Sequence, residues 1–285
     1  MEIIKKAADM QAWSDTVRQS KKRICLVPTM GYFHEGHLSL IDRGRKTGGE
    51  VVVSLFVNPA QFGENEDLDA YPSNVERDLS LARERGATAV FLPAVDEIYP
   101  PGYQTYVTLS HLPRHLCGLS RPVHFRGVAT VVTKLFNIVK PHAAVFGAKD
   151  FQQVCIIRQM CADLNYNIEI LAAPIVREKD GLAMSSRNAY LEPSQRPAAL
   201  SLSRSLALAE KMVAEGETTC RVVKRAMEGY IQGFSGAVID YISLCDPNTL
   251  EEVVSIDRPV LAALAVKVGK TRLIDNRIID PAGER

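Results

Sequence analysis

Residues 27–40 read VPTMGYFHEGHLSL. The run RICLVPT (23–29) predicts a strand, and HLSLIDRGRKTG (37–48) predicts a helix that stops at a glycine pair. Two of the chain's six histidines, His34 and His37, therefore fall where a strand hands over to a helix, with Gly31 and Gly36 beside them.

Working outward, strands and helices alternate. EVVVSLFVNP (50–59), TAVFLPA (88–94), AAVFGAKD (143–150, with a loop) and IEILAAPIV (168–176) predict buried strands. NVERDLSLARERG (74–86), VATVVTKLFNIVKP (128–141) and FQQVCIIRQMCADLN (151–165) carry helical spacing. That alternation predicts an α/β fold, a Rossmann-like doubly wound parallel sheet over residues 1–175. Such sheets bind ligands at the carboxyl ends of their strands, and here those ends are PTMGYFHEGH, VNPAQFG and FGAKDFQQ. From residue 176 the texture changes. Two helices, one over 194–216 and one from about 219, precede three short strands (238–246, 258–269 and 271–279). They predict a smaller α+β carboxy-terminal domain over 176–285.

Composition excludes several classes. In 285 residues, Lys+Arg of 34 against Asp+Glu of 33 gives a net charge of +1, which argues against a general nucleic-acid or membrane-surface binder. The start, MEIIKKAADM, has no apolar signal core, and no apolar run approaches a membrane span. Cys25, Cys117, Cys155, Cys161, Cys220 and Cys245 are scattered without a C-x-x-C pair. They read as buried reduced thiols in a cytoplasmic protein.

His34 and His37 allow three readings. They could be structural. They could be half of a metal site, although HEGH and the later HLPRH lack the ligands that would complete one. Or they could cradle a phosphate at a helix start, where unpaired N–H groups and the dipole suit an anion. The cradle needs further phosphate-binding groups at the same sheet edge, and GAKD (147–150) and MSSR (184–187) supply them. Each motif is weak alone; together they favour the cradle.

H-x-G-H at the first junction, with a basic Ser-rich loop after the sheet, resembles the nucleotidylyltransferase superfamily. PTMGYFHEGHLSLI, SLFVNPAQFG, YPSNVERDL, RPVHFRGVATVVTKLFNIV, FGAKDFQQ, DGLAMSSRNAYL and TRLIDN are similar, in order and along nearly the whole chain, to the pantothenate synthetase family. The resemblance implies an ATP-dependent ligase that joins pantoate to β-alanine through a pantoyl-adenylate, releasing AMP and pyrophosphate, in a homodimer with a carboxy-terminal lid. It implies ATP contacts at Met30, Gly31, His34, Gly36, His37, Gly147, Lys149, Asp150, Val176, Met184, Ser185, Ser186 and Arg187. It places pantoate on Gln61 and Gln153, with Gln61 also near β-alanine. Asn58, Tyr71, Arg121 and His124 would line the same cavity, and Asp78 would contact Mg²⁺. Two positions depart from the family pattern: the bulkier Tyr32 and Phe33 stand where small or aliphatic residues are usual, and Ala148 stands where the family has Glu.

The chemistry then assigns roles. A carboxylate is already ionised at pH 7, so attack on the α-phosphorus needs charge stabilisation and positioning rather than a base. His34, His37, Lys149, Ser185, Ser186 and Arg187 are the groups that would supply it, with Mg²⁺ bridging phosphates. In the second step an amine must lose a proton. Whether His37 transfers one or only donates a hydrogen bond stays open at this level. Two rivals remain as well: a nucleotidylyltransferase that stops at a nucleotide-linked product, and a nucleotide-binding module without chemistry.

Overall fold

The computed structural model describes residues 1–64 and 66–282. In chain order its elements are β1 (Glu2–Ile4), α1 (Ala7–Gln19), β2 (Ile24–Thr29), α2 (Glu35–Arg45), β3 (Glu50–Leu55), α3 (Val75–Glu84), β4 (Ala89–Phe91) and α4 (Val95–Ile98). There follow α5 (Cys117–Ser120), α6 (His124–Val139), β5 (Ala143–Gly147), α7 (Phe151–Asp163), β6 (Glu169–Ala173), α8 (Arg196–Ala214), α9 (Cys220–Gln232), β7 (Ala237–Cys245), β8 (Val260–Val268) and β9 (Thr271–Ile279). The chain divides into two units. The first is Met1–Ser110, Arg121–Ala148 and Gln153–Pro174; the second is His111–Ser120, Lys149–Gln152 and Ile175–Arg285.

In the first unit the six strands form one parallel sheet in the order β1-β4-β3-β2-β5-β6. Its central strands are apolar without alternation because helices cover both faces: Cys25, Leu26, Val27, Val52 and Val53 are all fully buried. β2 pairs with β3 on one side (Val27 opposite Val53) and with β5 on the other (Cys25 opposite Ala143). The connection leaves β2 for β3 in one direction and reaches β5 in the other. The switch point, where such sheets bind ligands, therefore lies between the carboxyl ends of β2 and β5.

Three features differ from the sequence reading. β1 and α1 were not foreseen, because a three-residue edge strand is defined by its pairing with β4 rather than by any local pattern. The strand predicted over 50–59 ends at Leu55, and Pro59–Gln61 forms a 3₁₀ turn whose N-cap is Asn58. Helix α6 begins at His124, four residues ahead of the predicted start.

The second unit holds an antiparallel sheet in the order β7-β8-β9, with α8 and α9 packed on it. β8, the middle strand, is a buried apolar run. Its Leu264 and Val266 join Leu202 and Leu206 of α8 and Val223 and Met227 of α9 in one core. Among the described residues no helix is long and apolar enough to cross a membrane.

Candidate functional site

The stretch between β2 and α2 turns on two successive residues with positive φ, Gly31 (+90°) and Tyr32 (+53°). A left-handed tyrosine is strained, so something must hold it. Asp78 of α3 does: its Oδ2 accepts the Tyr32 N–H (2.6 Å) and its Oδ1 the Phe33 N–H (2.8 Å). Arg77 donates to the Phe33 carbonyl at 2.9 Å. A Cβ at residue 31 would lie 3.1 Å from Asp78 Oδ2, a second reason for glycine there. Phe33 is buried in the core of the unit with Leu38, Ile41 and Leu55. Of the two bulky departures from the family pattern, one is thus a core residue.

His34 is the N-cap of α2. Its Nδ1 accepts the Gly36 N–H (3.1 Å), and Nδ1 of His37 accepts the His34 N–H (3.4 Å). The rings lie against each other at a tilt, with centroids 4.1 Å apart and planes at 35°. An imidazole that accepts at Nδ1 carries its proton on Nε2, so the two caps fix both tautomers as Nε2–H donors. The arrangement sets a pair of neutral donors at the positive end of an 11-residue helix.

After β3, Asn58 and Gln61 are both buried. Asn58 Nδ2 donates to Gln61 Oε1 and to the Gly127 carbonyl, each at 3.1 Å. Gln61 Nε2 lies 3.0 Å from the Met30 Sδ. Arg121 and His124, on the approach to and in the first turn of α6, are brought to the backbone of the same glutamine: His124 Nδ1 is 2.9 Å from its carbonyl and Arg121 donates to that oxygen at 3.4 Å. Arg121 also pairs with Glu66 through Nε at 2.8 Å. Burial, the largest single influence, pushes the Glu66 carboxyl up, but the bond and charge of Arg121 together with the smaller pulls of His124 and the Gly63 backbone outweigh it, and the net shift is downward. Gly127 lets α6 approach this turn, since a Cβ there would fall 2.2 Å from the Ala60 carbonyl oxygen. Tyr71 packs edge-on against Phe62 at 6.0 Å. Gly147 ends β5, and Gln153 is half-buried in the first turn of α7.

Asp78 was expected as a Mg²⁺ contact, and the structure does not fit that role. The carboxylate is fully buried and turned onto the backbone amides of Tyr32 and Phe33, whereas a magnesium ion keeps several waters and binds carboxylates that reach solvent or substrate phosphate. Burial pushes its carboxyl upward, against the pull of the Phe33 and Tyr32 amides.

In the second unit the basic and hydroxyl residues sit on two supports. Lys149 and Asp150 lie in a 3₁₀ turn, where Asn276 Nδ2 donates to the Lys149 carbonyl at 2.8 Å. Val176 and Met184 face each other across a hairpin turned at Gly181 (φ +99°), with the Met184 N–H bonded to the Val176 carbonyl at 2.9 Å. Ser185 caps the following 3₁₀ turn, accepting the Arg187 N–H at 3.2 Å, and Ser186 is buried there. Arg177 anchors the hairpin by a two-pronged pair with the buried Asp275 of β9 (2.7 and 2.9 Å). Asn188 donates to Glu178 at 2.6 Å and to the Ala183 carbonyl at 3.0 Å.

Arg177, Asp275 and Asn276 were not singled out from the sequence. TRLIDN carried the signal: a strand with Asp and Asn at adjacent positions must turn one of them inward, and an inward acid needs a cation. Of the pair in DFQQ, Gln152 is consumed structurally. It donates to the Leu112 and His115 carbonyls (2.9 and 2.7 Å) and accepts the Cys117 N–H (3.0 Å).

Residues 2–278 match the family model described as pantoate-beta-alanine ligase. The chain is 64% identical over 281 residues to a pantothenate synthetase of Desulforapulum autotrophicum, covering 99% of each chain. It is 59% identical over 282 residues to one of Desulfatibacillum aliphaticivorans, covering 99% of this chain and all of the other. Among solved structures, pantothenate synthetase from Thermus thermophilus matches with a TM-score of 0.94 at 39% identity, over 99% of this chain and 100% of that one. The pantoate-beta-alanine ligase of Francisella tularensis, solved with beta-gamma ATP and beta-alanine, matches with a TM-score of 0.80 at 29% identity, over 100% and 99%. With the parallel sheet, the histidine-capped helix and full-length identity all in agreement, the chain belongs to the pantoate–β-alanine ligase family.

Proposed function

We propose that this enzyme, an ATP-dependent ligase that condenses pantoate with β-alanine, carries out its first step on the paired histidines at the start of α2. The observation that supports this is the double cap, which holds His34 and His37 side by side as Nε2–H donors. The pantoate carboxylate attacks the α-phosphorus and pyrophosphate leaves. No base is needed, so the protein's part is to position the nucleophile and stabilise charge spreading over phosphate oxygens. Nε2–H groups already oriented by the backbone suit that task, because they need not reorganise as charge develops.

Met30, Gly31, Gly36 and Gly147 in the first unit, and Lys149, Asp150, Val176, Met184, Ser185, Ser186 and Arg187 in the second, are assigned to ATP. Lys149, Ser185, Ser186 and Arg187 supply the cationic and hydroxyl donors. Gln61 and Gln153 hold pantoate. Neutral amides suit this nucleophile, since a cation pressed on the carboxylate would blunt it. Asn58, Arg121 and His124 act by fixing Gln61, as their bonds to it indicate. Magnesium would enter with the nucleotide and supply charge neutralisation on its phosphates, while Asp78 positions the 31–33 turn.

In the second step the β-alanine amine gives up its proton to solvent and attacks the acyl carbon, and AMP leaves as the C–O bond to its phosphate breaks. With Nδ1 of His37 engaged as an acceptor, His37 serves as a hydrogen-bond donor to the departing phosphate rather than as the base for the amine. The enzyme is further proposed to work as a cytoplasmic homodimer, with residues 1–175 binding nucleotide and pantoate and residues 176–285 acting as the lid. Six buried reduced cysteines fit a reducing compartment, and light scattering of the purified protein tests the dimer.

The decisive experiment is exchange of labelled pyrophosphate into ATP. Exchange should require pantoate, and adding β-alanine should then give amide and AMP. Exchange that ignores pantoate would refute the mechanism.

A further inference from the structure

Backbone partners fix the orientation of Asn58. Its Oδ1 accepts the Ala60 N–H at 3.3 Å, and its Nδ2 faces the Gly127 carbonyl, which can only accept. The second N–H on that nitrogen is then aimed at Gln61 Oε1. Gln61 must turn its oxygen to Asn58, which leaves Nε2 as the atom that faces Met30. A thioether is a weak acceptor that a substrate oxygen would displace. The Tyr99 hydroxyl completes the arrangement by donating to Asn58 Oδ1 at 2.8 Å. Its ring packs against Phe56 and Tyr103, with the Lys134 ammonium 5.7 Å from its centroid. Burial pushes the Tyr99 phenol well above its ordinary value, which keeps it a donor.

We propose that Tyr99 is a positioning residue: through Asn58 it locks the Gln61 amide so that Gln61 reads a substrate oxygen as a donor and is unsuited to an ammonium group. The inference rests on the reading of Gln61 as a pantoate-binding residue. It assigns the Gln61 Nε2 donor to an oxygen of pantoate.

The test is pantoate KM, read by pyrophosphate exchange, for Tyr99→Phe, Gln61→Ala, the double variant and Gln61→Glu. Tyr99→Phe should raise pantoate KM about 3- to 10-fold while ATP KM stays within about twofold, the size expected for one hydrogen bond. In the Gln61→Ala background the same change should add nothing. An equal rise in both backgrounds, or an equal rise in ATP KM, would overturn the relay. Gln61→Glu keeps the oxygen for Asn58 and removes the donor, so it should bind pantoate no better than Gln61→Ala. Better binding than Gln61→Ala would overturn the donor assignment without any use of Tyr99. If Gln61→Ala alone leaves pantoate KM unchanged, the substrate role of Gln61 falls and the inference falls with it.

Discussion

The two sets of residues assigned to the reaction are held in place by different forces. In the first unit the tethers are mostly neutral: histidine rings capped by backbone amides, an amide–amide bond from Asn58 to Gln61, and a glycine that admits α6 to the 59–61 turn. In the second, beside neutral bonds such as that from Asn276 to the Lys149 carbonyl, the principal anchors are charged. Arg177 grips Asp275, and Arg196 is bonded to Asp180 and Glu178, with Asp180 held below the usual carboxylate range mainly by its bond from Arg196. Neutral tethers fail locally when cut, because each lost bond strands one polar atom. Cutting one side of a buried ion pair strands a charge, which costs far more.

The comparison can be broken in several places. Asp275→Ala should cause the largest loss, about 3–5 kcal/mol in urea unfolding, because Arg177 is left without its counter-charge. The double change Arg177→Met with Asp275→Leu should recover most of that stability. A small effect of Asp275→Ala alone would show that the charged tether is not stronger than the neutral ones. Asp78 is, like the Glu66–Arg121 pair, a charged exception within the first unit. Asp78→Ala strands two amides and releases a strained Tyr32, so a loss of about 2–3 kcal/mol is expected, together with a higher ATP KM from a displaced His34. Unchanged ATP kinetics would disconnect the turn from the histidines.

Gly127→Ala should cost about 1–3 kcal/mol by overpacking and should raise pantoate KM, since the added methyl pushes directly on the 59–61 turn. A loss of stability without a change in KM would break the link between α6 and Gln61. The Glu66–Arg121 pair adds a pH dependence. The folded carboxyl lies below its ordinary value of 4.5, so its contribution is present above that pH and is lost as the pH falls through the folded value. Unfolding free energies from urea titrations taken from pH 6 downward should lose about 1 kcal/mol from this pair, and Glu66→Gln should remove that part of the slope. The smallest effect is expected from Ala148→Glu, which restores the family's acid: ATP KM should fall by about two- to fivefold. No change at all would mean that the acid has no role in nucleotide binding here.

Much of this was readable in the chain. Continuous β-branched runs fix buried parallel strands, and helical spacing with glycine stops fixes most helices, because both signals are local. H-x-G-H, GAKD and MSSR could be singled out as candidates for a related reason: the suitability of a side chain for an anion is a matter of residue type, which the sequence states directly. Other features were not local. That Tyr32 would take a left-handed conformation depends on a carboxylate 46 residues away. The inward turn of Asp275 depends on an arginine 98 residues away.

The sequence by itself determined the α/β alternation, the family, and the short list of residues able to bind phosphate and acid. Tertiary structure decided which of them are held and how. It made Asp78 a clamp on a turn, spent Gln152 on backbone carbonyls, and set the Gln61 amide with its donor outward. Periodicity and residue type record what a segment can do locally, whereas the direction of a hydrogen bond is fixed by partners that only folding brings within about 3 Å.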